Sequence, residues 1–389
     1  MKPLNLLLII PDQLRADYLS CYGHPFVETA NVDALAAGGV VLERAYCAAP
    51  LCGPSRISLV TSTHLGEHNH RNYGSTISPD VPNLVTCLRA AGYRTGMFGK
   101  NHCFTYRRLP EVFDGLDEIC LGNYDRHPRY EHSFSAFPLE ADHEYNITER
   151  LTTELLAWMA AQDGPFFGWV NYQDPHPAFT CPEPYYSLFD AEQFRLPANF
   201  AREDETPRPR RLRNWRIQSE MPLATEADVR QAMATYCGQI RYVDAQVGRL
   251  LEWLETSGRA ADTVVCFMSD HGEFLGDFGV FHKIGVFYEC LARIPVVLRH
   301  PAGAWRPGRY AGLVEEVDLT PTLLEALSVP IPTTMQGPAC TGRSPARRRR
   351  GNRAFWWRPA WARRRRWRRF PGRGTRRPLR RTALGRARR

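Results

Sequence analysis

Segments with the hydrophobic pattern of β-strands alternate along this chain with segments that have the pattern of α-helices. The first, Leu4–Ile10, is a short uninterrupted apolar run, which is typical of a strand covered on both faces. Such alternation favours an α/β fold with a mostly parallel central sheet and helices on both faces. The predicted strands are Leu4–Ile10, Arg94–Phe98, Phe166–Tyr172, Thr263–Ser269 and Ile294–Leu298; the predicted helices are Pro82–Ala91, Ile147–Ala161, a long one from Thr225 to Ser257, and Leu319–Leu327.

Two stretches lack this regular pattern. Residues Arg202–Arg216 are charged and contain proline, so we expect a surface loop there. That segment lies within Phe179–Arg216, which together with Tyr124–Phe137 has no recognised motif. We expect these two stretches to shape any ligand pocket.

Polar clusters follow four of the predicted strands. They are Asp12-Gln13, Gly99-Lys100-Asn101-His102, Gln173-Asp174-Pro175-His176 and Asp270-His271-Gly272-Glu273. Each alone has an ordinary explanation, because Asp and Asn cap helices and form turns, and Lys and His occur in solvated loops. In open α/β sheets, however, the ligand site lies outside the carboxyl ends of the strands. Four clusters at one edge therefore predict an active site.

Two of these clusters together have the donors of a cation site. Asp12, Gln13, Asp270 and His271 offer two carboxylates, an amide oxygen and an imidazole. Oxygen-rich sites suit Ca²⁺ or Mg²⁺, and one imidazole moves the balance a little toward Mn²⁺. The alternative is that the two aspartates are turn residues and His271 is a buried, hydrogen-bonded histidine. We expect one divalent cation, with Ca²⁺ favoured.

The segment Cys52-Gly53-Pro54-Ser55-Arg56 has the C-x-P-S-R pattern of type I sulfatases. The other clusters follow in that family's order, resembling its G-K-x-H, D-P-H and S-D-H-G-E elements, and Lys283 resembles its second sulfate-contacting lysine. Over roughly residues 4–337 the chain thus resembles the formylglycine-dependent sulfatases of the alkaline-phosphatase-like superfamily. The resemblance implies that family's fold and the hydrolysis of sulfate esters.

The resemblance also implies how the reaction proceeds. A maturation enzyme would oxidise Cys52 to 3-oxoalanine (formylglycine), whose hydrated aldehyde attacks sulfur with one hydroxyl and expels sulfate when the other is deprotonated. The implied metal ligands are Asp12, Gln13, Asp270 and His271, and Asp270 would also accept the proton of the attacking hydroxyl. Of the other implied catalytic residues, Arg56 holds the hydrate and Lys100 bridges the nucleophile and the sulfate. His102 is the implied base for sulfate elimination. His176 and Lys283 would bind and protonate the leaving alcohol.

Two residue pairs depart from the commonest family pattern. Many members carry Asp-Asp and Asp-Asn where this chain has Asp12-Gln13 and Asp270-His271. That combination resembles choline sulfatases and phosphonate monoester hydrolases, so the alternative function is hydrolysis of phosphonate monoesters or phosphodiesters. The element Gly99-Lys100-Asn101-His102 favours a sulfatase, because the phosphonate hydrolases lack its Lys and His.

The end of the chain differs in composition from the rest. Residues 338–389 contain 21 Arg and no Lys, Asp or Glu, so the remaining residues 1–337 carry 29 basic against 41 acidic side chains, or −12. We therefore expect a catalytic domain over 1–337 and a low-complexity tail over 338–389 that cannot order itself. The tail is either a nucleic-acid-binding arm or the product of a reading-frame error, and we favour the second. Family members normally continue into a small C-terminal subdomain, which we expect this chain to lack.

The remaining expectations concern location and partners. Eleven cysteines form no small-domain disulfide framework, and Leu4–Ile10 runs into Pro11-Asp12 with no small-residue cleavage site, so it is interpreted as a strand and not as a signal peptide. No apolar run reaches the ~18–20 residues of a membrane span. We expect a cytoplasmic protein with a small sulfate ester and the maturation enzyme as partners, and neither a membrane nor a nucleic acid.

Overall fold

The computed structural model of the protein describes residues 3–72, 74–119, 127–140, 146–200, 209–301 and 303–340. These ranges cover most of the predicted catalytic domain. The predicted Arg-rich tail lies outside the described residues from residue 341 onward, and so do residues 124–126 and 201–208 of the two stretches expected to shape the pocket.

A nine-stranded sheet forms the centre of the described fold, in the order β11-β2-β10-β8-β1-β6-β3-β4, with β9 pairing with β2. Strands β8, β1, β6, β3 and β4 are parallel neighbours, whereas β10 runs antiparallel to both β8 and β2. A separate pair, β5 and β7, is also parallel. The strands are β1 Asn5–Pro11, β2 Val40–Tyr46, β3 Arg94–Lys100, β4 Gly115–Ile119, β5 Ala136–Leu139, β6 Phe166–Tyr172, β7 Phe179–Pro182, β8 Thr263–Met268, β9 Arg293–Ile294, β10 Val296–Arg299 and β11 Gly308–Glu315.

Helices cover both faces of this sheet, as the apolar run of β1 predicts. Leu7 and Ile9 belong to one buried cluster with side chains of α1, α6 and α8, and Leu6, Leu8 and Ile10 belong to a second with side chains of α2, α4 and α10. Alternate strand residues point to opposite faces, so a strand that is apolar throughout requires two covering layers. The α-helices are α1 Ala30–Ala37, α2 Cys52–Thr61, α3 Leu65–His68, α4 Leu84–Ala90, α5 Leu109–Val112, α6 Ile147–Ala160, α7 Arg210–Gln218, α8 Glu226–Thr256, α9 Glu289–Ala292 and α10 Leu319–Ala326.

The predicted elements are confirmed with small shifts at their ends. The long helix α8 begins with a capping box. The hydroxyl of Thr225 accepts from the backbone N–H of Asp228 at 3.2 Å, and the Asp228 carboxylate accepts from the backbone N–H of Thr225 at 2.8 Å. This reciprocal pair satisfies N–H groups that the first turn of a helix leaves without partners.

Two expectations are wrong in detail. The predicted strand Ile294–Leu298 is two short strands, β9 and β10, because Pro295 between them has no N–H to donate to a ladder. The expected loop Arg202–Arg216 contains helix α7 from Arg210 onward. Its arginines are good helix formers, and Leu212 is buried against the domain, which stabilises a helix that charge alone does not indicate.

Across the described ranges, no helix combines the length and the apolar character needed to span a membrane.

Candidate active site

Four neighbouring strands of the parallel region end at one place. Because β8, β1, β6 and β3 are adjacent in that order, their carboxyl ends bring together residues that are far apart in sequence. These strand ends supply Asp270 and His271 after β8, Asp12 and Gln13 after β1, Asn171 and His176 on and after β6, and Lys100 and His102 on and after β3.

Cys52 meets this edge of the sheet as the first residue of α2, and it is fully buried. Its Sγ lies 3.1 Å from Nε2 of His271, 3.3 Å from Nζ of Lys100 and 3.6 Å from Oδ1 of Asp12. Burial and the charge of Asp12 would each raise the pKa of this thiol. The positive charges of Lys100, Lys283 and His271 outweigh both effects, so the pKa of Cys52 is lowered. The sulfur therefore occupies an electropositive position inside the protein.

Three predicted metal ligands gather around that sulfur. One donor atom each from Asp12, Asp270, His271 and Cys52 lie within 4.8 Å of one another, and all four residues are buried. Nδ1 of His271 is 2.9 Å from the carbonyl oxygen of Gly272, which leaves Nε2 to face the carboxylates. Two buried carboxylates and an oriented imidazole have the chemistry of a divalent-cation site. These residues fit the cation that the sequence predicts.

Gln13 lies beside this cluster, but its amide is bonded elsewhere. Nε2 donates to the carboxylate of Glu273 and Oε1 accepts from Nζ of Lys283. Its backbone N–H donates to Oδ1 of Asp270 at 3.1 Å, and its φ of 67° is in the left-handed region. The backbone of Gln13 therefore positions Asp270, and its side-chain amide joins Glu273 to Lys283.

Arg56 holds the two carboxylates together from one turn further along α2. Its Nε donates to Asp270 at 3.0 Å and its Nη2 donates to Asp12 at 3.3 Å. Nη1 donates to the Lys100 carbonyl at 3.3 Å and to the side-chain oxygen of Asn171. Although burial would lower the pKa of Arg56, the charges of Asp270 and Asp12 raise it. This fully buried guanidinium thus neutralises part of the acidic charge beneath the cysteine.

Lys100 completes the buried group. Its Nζ donates to Oδ2 of Asp12 and lies beside the sulfur of Cys52. Burial alone would raise the pKa of Asp12, but Lys100 and the other cations nearby hold it well below its usual range. Asp12 is therefore an ionised carboxylate. We use the term buried floor for Asp12, Cys52, Arg56, Lys100, Asp270 and His271.

A cavity of about 500 Å³ opens above the buried floor. Cys52, His102, His176 and Lys283 all line it, so the predicted nucleophile, the elimination base and the leaving-group residues reach one space, whereas Lys100 does not line it. Burial and the charges of Lys100 and Arg56 lower the pKa of His102 to about 2, and burial together with Lys283 lowers the pKa of His176 well below its usual range. Both imidazoles are therefore neutral. A larger cavity of about 650 Å³ lies beside Arg15 and Phe26, but Cys52 does not line it.

Comparisons with known proteins agree with this arrangement. The family model described as Sulfatase matches residues 4–329 of the chain. The chain belongs to the sulfatase family. The predicted family, the α/β fold and the class of enzyme, a sulfuric ester hydrolase, are thereby confirmed.

Individual relatives of this sulfatase include different hydrolases. It is 31% identical to the multifunctional alkaline phosphatase superfamily protein PehA of Trinickia caryophylli, covering 87% of this chain and 76% of the relative. It is 28% identical to an arylsulfatase of Clostridium perfringens, covering 87% and 77%. The crystal structure of a phosphonate monoester hydrolase of Agrobacterium radiobacter matches with a TM-score of 0.68 and 27% identity, covering 84% of this chain and 74% of that one.

The cavity of this sulfatase is also lined by residues that the sequence did not single out, although Ser133 and Trp215 lie in the two stretches expected to shape the pocket. Ser133, Trp215, Gln218 and Ser219 line one side of the cavity, and we use the term cavity wall for these four. Trp215 and Gln218 belong to α7 and Ser219 follows it directly, and of these three only Trp215 lies in the segment expected to be a loop. His282 lines the cavity as well, and its position next to Lys283 could have indicated it. The cavity wall has no comparable signal, since no motif marks its residues.

Proposed function

We propose that the protein hydrolyses sulfate esters with a formylglycine nucleophile made from Cys52. The observation that carries the proposal is the position of the Cys52 sulfur, within 3.6 Å of Asp12, Lys100 and His271 and open to the cavity. The sulfur marks where the oxygens of the hydrated aldehyde would lie. That group supplies two hydroxyls on one carbon, one to attack sulfur and one to expel sulfate.

The residues of the chain then have separable tasks. Lys100 contacts both Asp12 and the Cys52 sulfur, so its ammonium reaches the nucleophile and the sulfate oxygens beside it. Arg56 fixes Asp12 and Asp270 in position and balances charge that develops on the nucleophile. His102 is a neutral imidazole beside the cavity, in the protonation state that a base for sulfate elimination requires.

Protonation of the leaving alcohol falls to Lys283 in this proposal. Burial and Lys283 keep the pKa of His176 low, so its imidazole is neutral and suited to hydrogen-bonding the bridging oxygen. The ammonium of Lys283 lines the same cavity and carries a proton to give. His176 therefore orients the ester and Lys283 donates the proton.

Mass spectrometry of the protein from a maturation-competent host tests the nucleophile. Trypsin cleavage after Arg44 and Arg56 releases a peptide containing both Cys47 and Cys52. We expect a loss of ~18 Da relative to the unmodified peptide, by oxidation of the thiol to an aldehyde. Fragment ions should assign the loss to Cys52, with Cys47 unchanged as the internal control. A protein that hydrolyses sulfate esters while Cys52 stays a thiol would contradict the proposal.

We further propose Ca²⁺ as the resident cation, held by Asp12, Asp270 and His271 with Gln13 beside them. Oxygen donors predominate in this set, and a bound cation supplies positive charge against the sulfate oxygens. Calorimetric titration with Ca²⁺, Mg²⁺ and Mn²⁺ tests the identity without any turnover. We expect the tightest binding for Ca²⁺ and a large loss of affinity in Asp270→Asn; tighter Mn²⁺ binding would overturn the assignment.

Hydrolysis of phosphonate monoesters is the second candidate, and a specific observation favours it. A phosphonate monoester hydrolase shares 27% identity and the fold, and this chain has the Asp12-Gln13 and Asp270-His271 pairs that suggested such an activity. We expect a higher kcat/KM for an aryl sulfate than for a matched phenyl phosphonate monoester or phosphodiester. The reverse order would make the phosphonate activity primary.

Further expectations from the sequence belong to this proposal. The domain boundary is placed near Gly337, and a backbone N–H bond from Gln336 to the Ser62 carbonyl ties the chain to the domain just before it. Cys340, whose N–H donates to the Thr322 hydroxyl, still contacts the domain beyond that point. A nucleic-acid role for the tail predicts salt-sensitive binding that disappears on truncation at Gly337. The maturation enzyme as a partner and the cytoplasmic location stay predictions from the sequence.

A further inference from the structure

The mouth of the catalytic cavity carries an arginine-rich helix that none of the catalytic roles uses. Helix α7 contains no Asp or Glu, and its arginines are Arg210, Arg211, Arg213 and Arg216. Trp215 and Gln218 of the same helix line the cavity. Positive charge beside a site for an anionic ester affects which ester binds there.

Arg211 lies on the cavity side of this helix. Side chains four and seven residues apart share one face of an α-helix, which places Arg211 in line with Trp215 and Gln218. Arg213 is two residues further along, about 200° around the axis. The two arginines therefore point to different sides of α7, and only the first continues the cavity face.

The guanidinium of Arg211 also lies near segments that carry catalytic residues. A methyl group added to Gly285 would be 3.5 Å from Nη2 of Arg211 and 3.2 Å from Cδ1 of Leu51. Leu51 directly precedes the nucleophile, and Gly285 is two residues beyond Lys283. Arg211 thus stands at the rim between the segments that carry these two catalytic residues.

Packing fixes the helix that presents Arg211. The adjacent Leu212 is only 2% exposed and belongs to a buried cluster with Phe274 and Ile284. One turn later, Nε1 of Trp215 donates to the carbonyl oxygen of Phe281 at 2.8 Å. The backbone of Arg211 is therefore held in place, and only its side chain adjusts.

The charges around Arg211 leave it available for an anion. It is exposed, and no ion pair joins it to a carboxylate among the described residues. No carboxylate lines the described part of the cavity either, where the titratable groups besides Cys52 are three histidines and Lys283. The sulfate that reacts is served by the buried floor and by Lys283. Arg211 is an additional cation beside the cavity, not among its lining residues.

We propose that the substrate is a sulfate ester whose alcohol part carries a second anionic oxygen group, carboxylate or sulfate, and that Arg211 binds this group. A guanidinium matches the planar or tripodal oxygens of such groups with paired N–H donors. The inference rests on the proposed sulfatase activity and adds the charge of the leaving alcohol to it. Arg211 is a specificity-determining residue in this view.

Three aryl sulfates with the same leaving group test this inference. One carries a carboxymethyl side arm, one a sulfomethyl side arm and one the uncharged N-methylcarboxamide. We expect kcat/KM for the charged esters to exceed that of the amide by about three- to fivefold, the usual strength of a partly exposed ion pair. Arg211→Gln should bring the ratio to about 1, and Arg213→Gln, which removes the same charge from another face of α7, should leave it as in the wild type.

The outcomes separate this inference from the proposed function. If no aryl sulfate is hydrolysed, the proposed function fails. Binding still tests Arg211 in that case, because calorimetry can measure the affinities of the three esters for the Cys52→Ala protein with and without Arg211→Gln. A wild-type ratio of about 1, in turnover or in binding, would overturn the inference while leaving the sulfatase activity intact. An equal fall of the ratio in Arg213→Gln would also overturn it, because the helix would then act only through its overall charge.

Discussion

The buried floor and the cavity wall of this sulfatase are built in opposite ways. Side chains of the floor are fully buried and bonded mainly to one another, as the contacts of Arg56 with Asp12 and Asp270 show. The wall is partly exposed, and its bonds run largely to backbone atoms, such as that from Trp215 to the Phe281 carbonyl. We therefore expect changes in the floor to affect the chemistry and changes in the wall to leave it intact. The effects of substitutions on stability and on kinetics should therefore differ between the two regions in kind as well as in size.

Arg56→Ala should have the largest effect. The change leaves Asp12 and Asp270 buried without their cationic partner, which typically costs about 3–5 kcal/mol of folding free energy. Urea unfolding in the presence of a chelator measures this, since a bound cation would otherwise offset the loss. Sulfate ester hydrolysis should be lost as well.

The matched control is Arg213→Ala on helix α7. Arg213 is exposed, so its removal should change the free energy of unfolding by less than about 0.5 kcal/mol. Similar stability losses in the two variants would show that the floor is not held together by its charges.

Glu316 should show a smaller effect, because it supports the floor from below. It is buried, and its Oε1 lies 2.5 Å from the hydroxyl oxygen of Ser55, which is also 2.7 Å from the Asp270 carbonyl. One hydroxyl hydrogen cannot serve both contacts, so a protonated Glu316 donates to Ser55 and Ser55 donates to Asp270. Burial raises the pKa of Glu316 well above its usual value, which agrees with this pattern. We expect Glu316→Ala to cost about 1–3 kcal/mol by breaking the chain of bonds.

The pH dependence of Glu316→Gln tests the protonation state. Below a pH near 4.5, the usual pKa of this group, Glu316 carries its proton in both the folded and the unfolded chain. As the pH rises, the unfolded chain loses the proton and the folded protein keeps it, so wild-type stability falls by up to about 1.4 kcal/mol per pH unit. The Gln variant has no such loss and should gain on the wild type between pH 5 and 8. A constant difference across that range would mean that Glu316 is ionised in the folded protein.

The same contrast explains what the sequence could predict. Asp12, Cys52 and Lys100 stand at strand ends or in a short motif, and the carboxyl edge of a parallel sheet brings such positions together whatever the rest of the chain does. The burial of both faces of β1 likewise follows from its uninterrupted apolar run. Trp215 and Ser133 approach the cavity only through tertiary packing. Helix α7 is stabilised by the burial of Leu212 against Phe274 and Ile284. The sequence pattern of this nine-residue helix, which has four arginines, does not indicate that contact.

Trp215→Ala tests whether the wall acts on substrate binding alone. The indole lines the cavity and its Nε1 is bonded to the Phe281 carbonyl, so we expect KM for an aryl sulfate to rise by about three- to tenfold, equivalent to ~0.7–1.4 kcal/mol, with kcat within about twofold of the wild type. Trp253→Ala on α8, a half-buried indole outside the cavity lining, is the control and should leave KM unchanged. A fall in kcat with constant KM would assign Trp215 to the chemistry and erase the distinction between wall and floor.

Ser133→Ala should give the smallest effect, and it asks whether the two halves of the wall act together. The Ser133 hydroxyl donates to the carbonyl oxygen of Ser219, joining the segment before β5 to the end of α7. Losing one such bond costs about 0.5–1.5 kcal/mol, and we expect a rise in KM of about twofold with kcat unchanged. Ser133→Thr, which keeps the hydroxyl, should restore KM. Ser135→Ala, which removes only a local bond to the His132 backbone, should not raise it. If Ser135→Ala raises KM as much as Ser133→Ala, the order of the segment before β5 matters for substrate binding and its bond to the end of α7 does not.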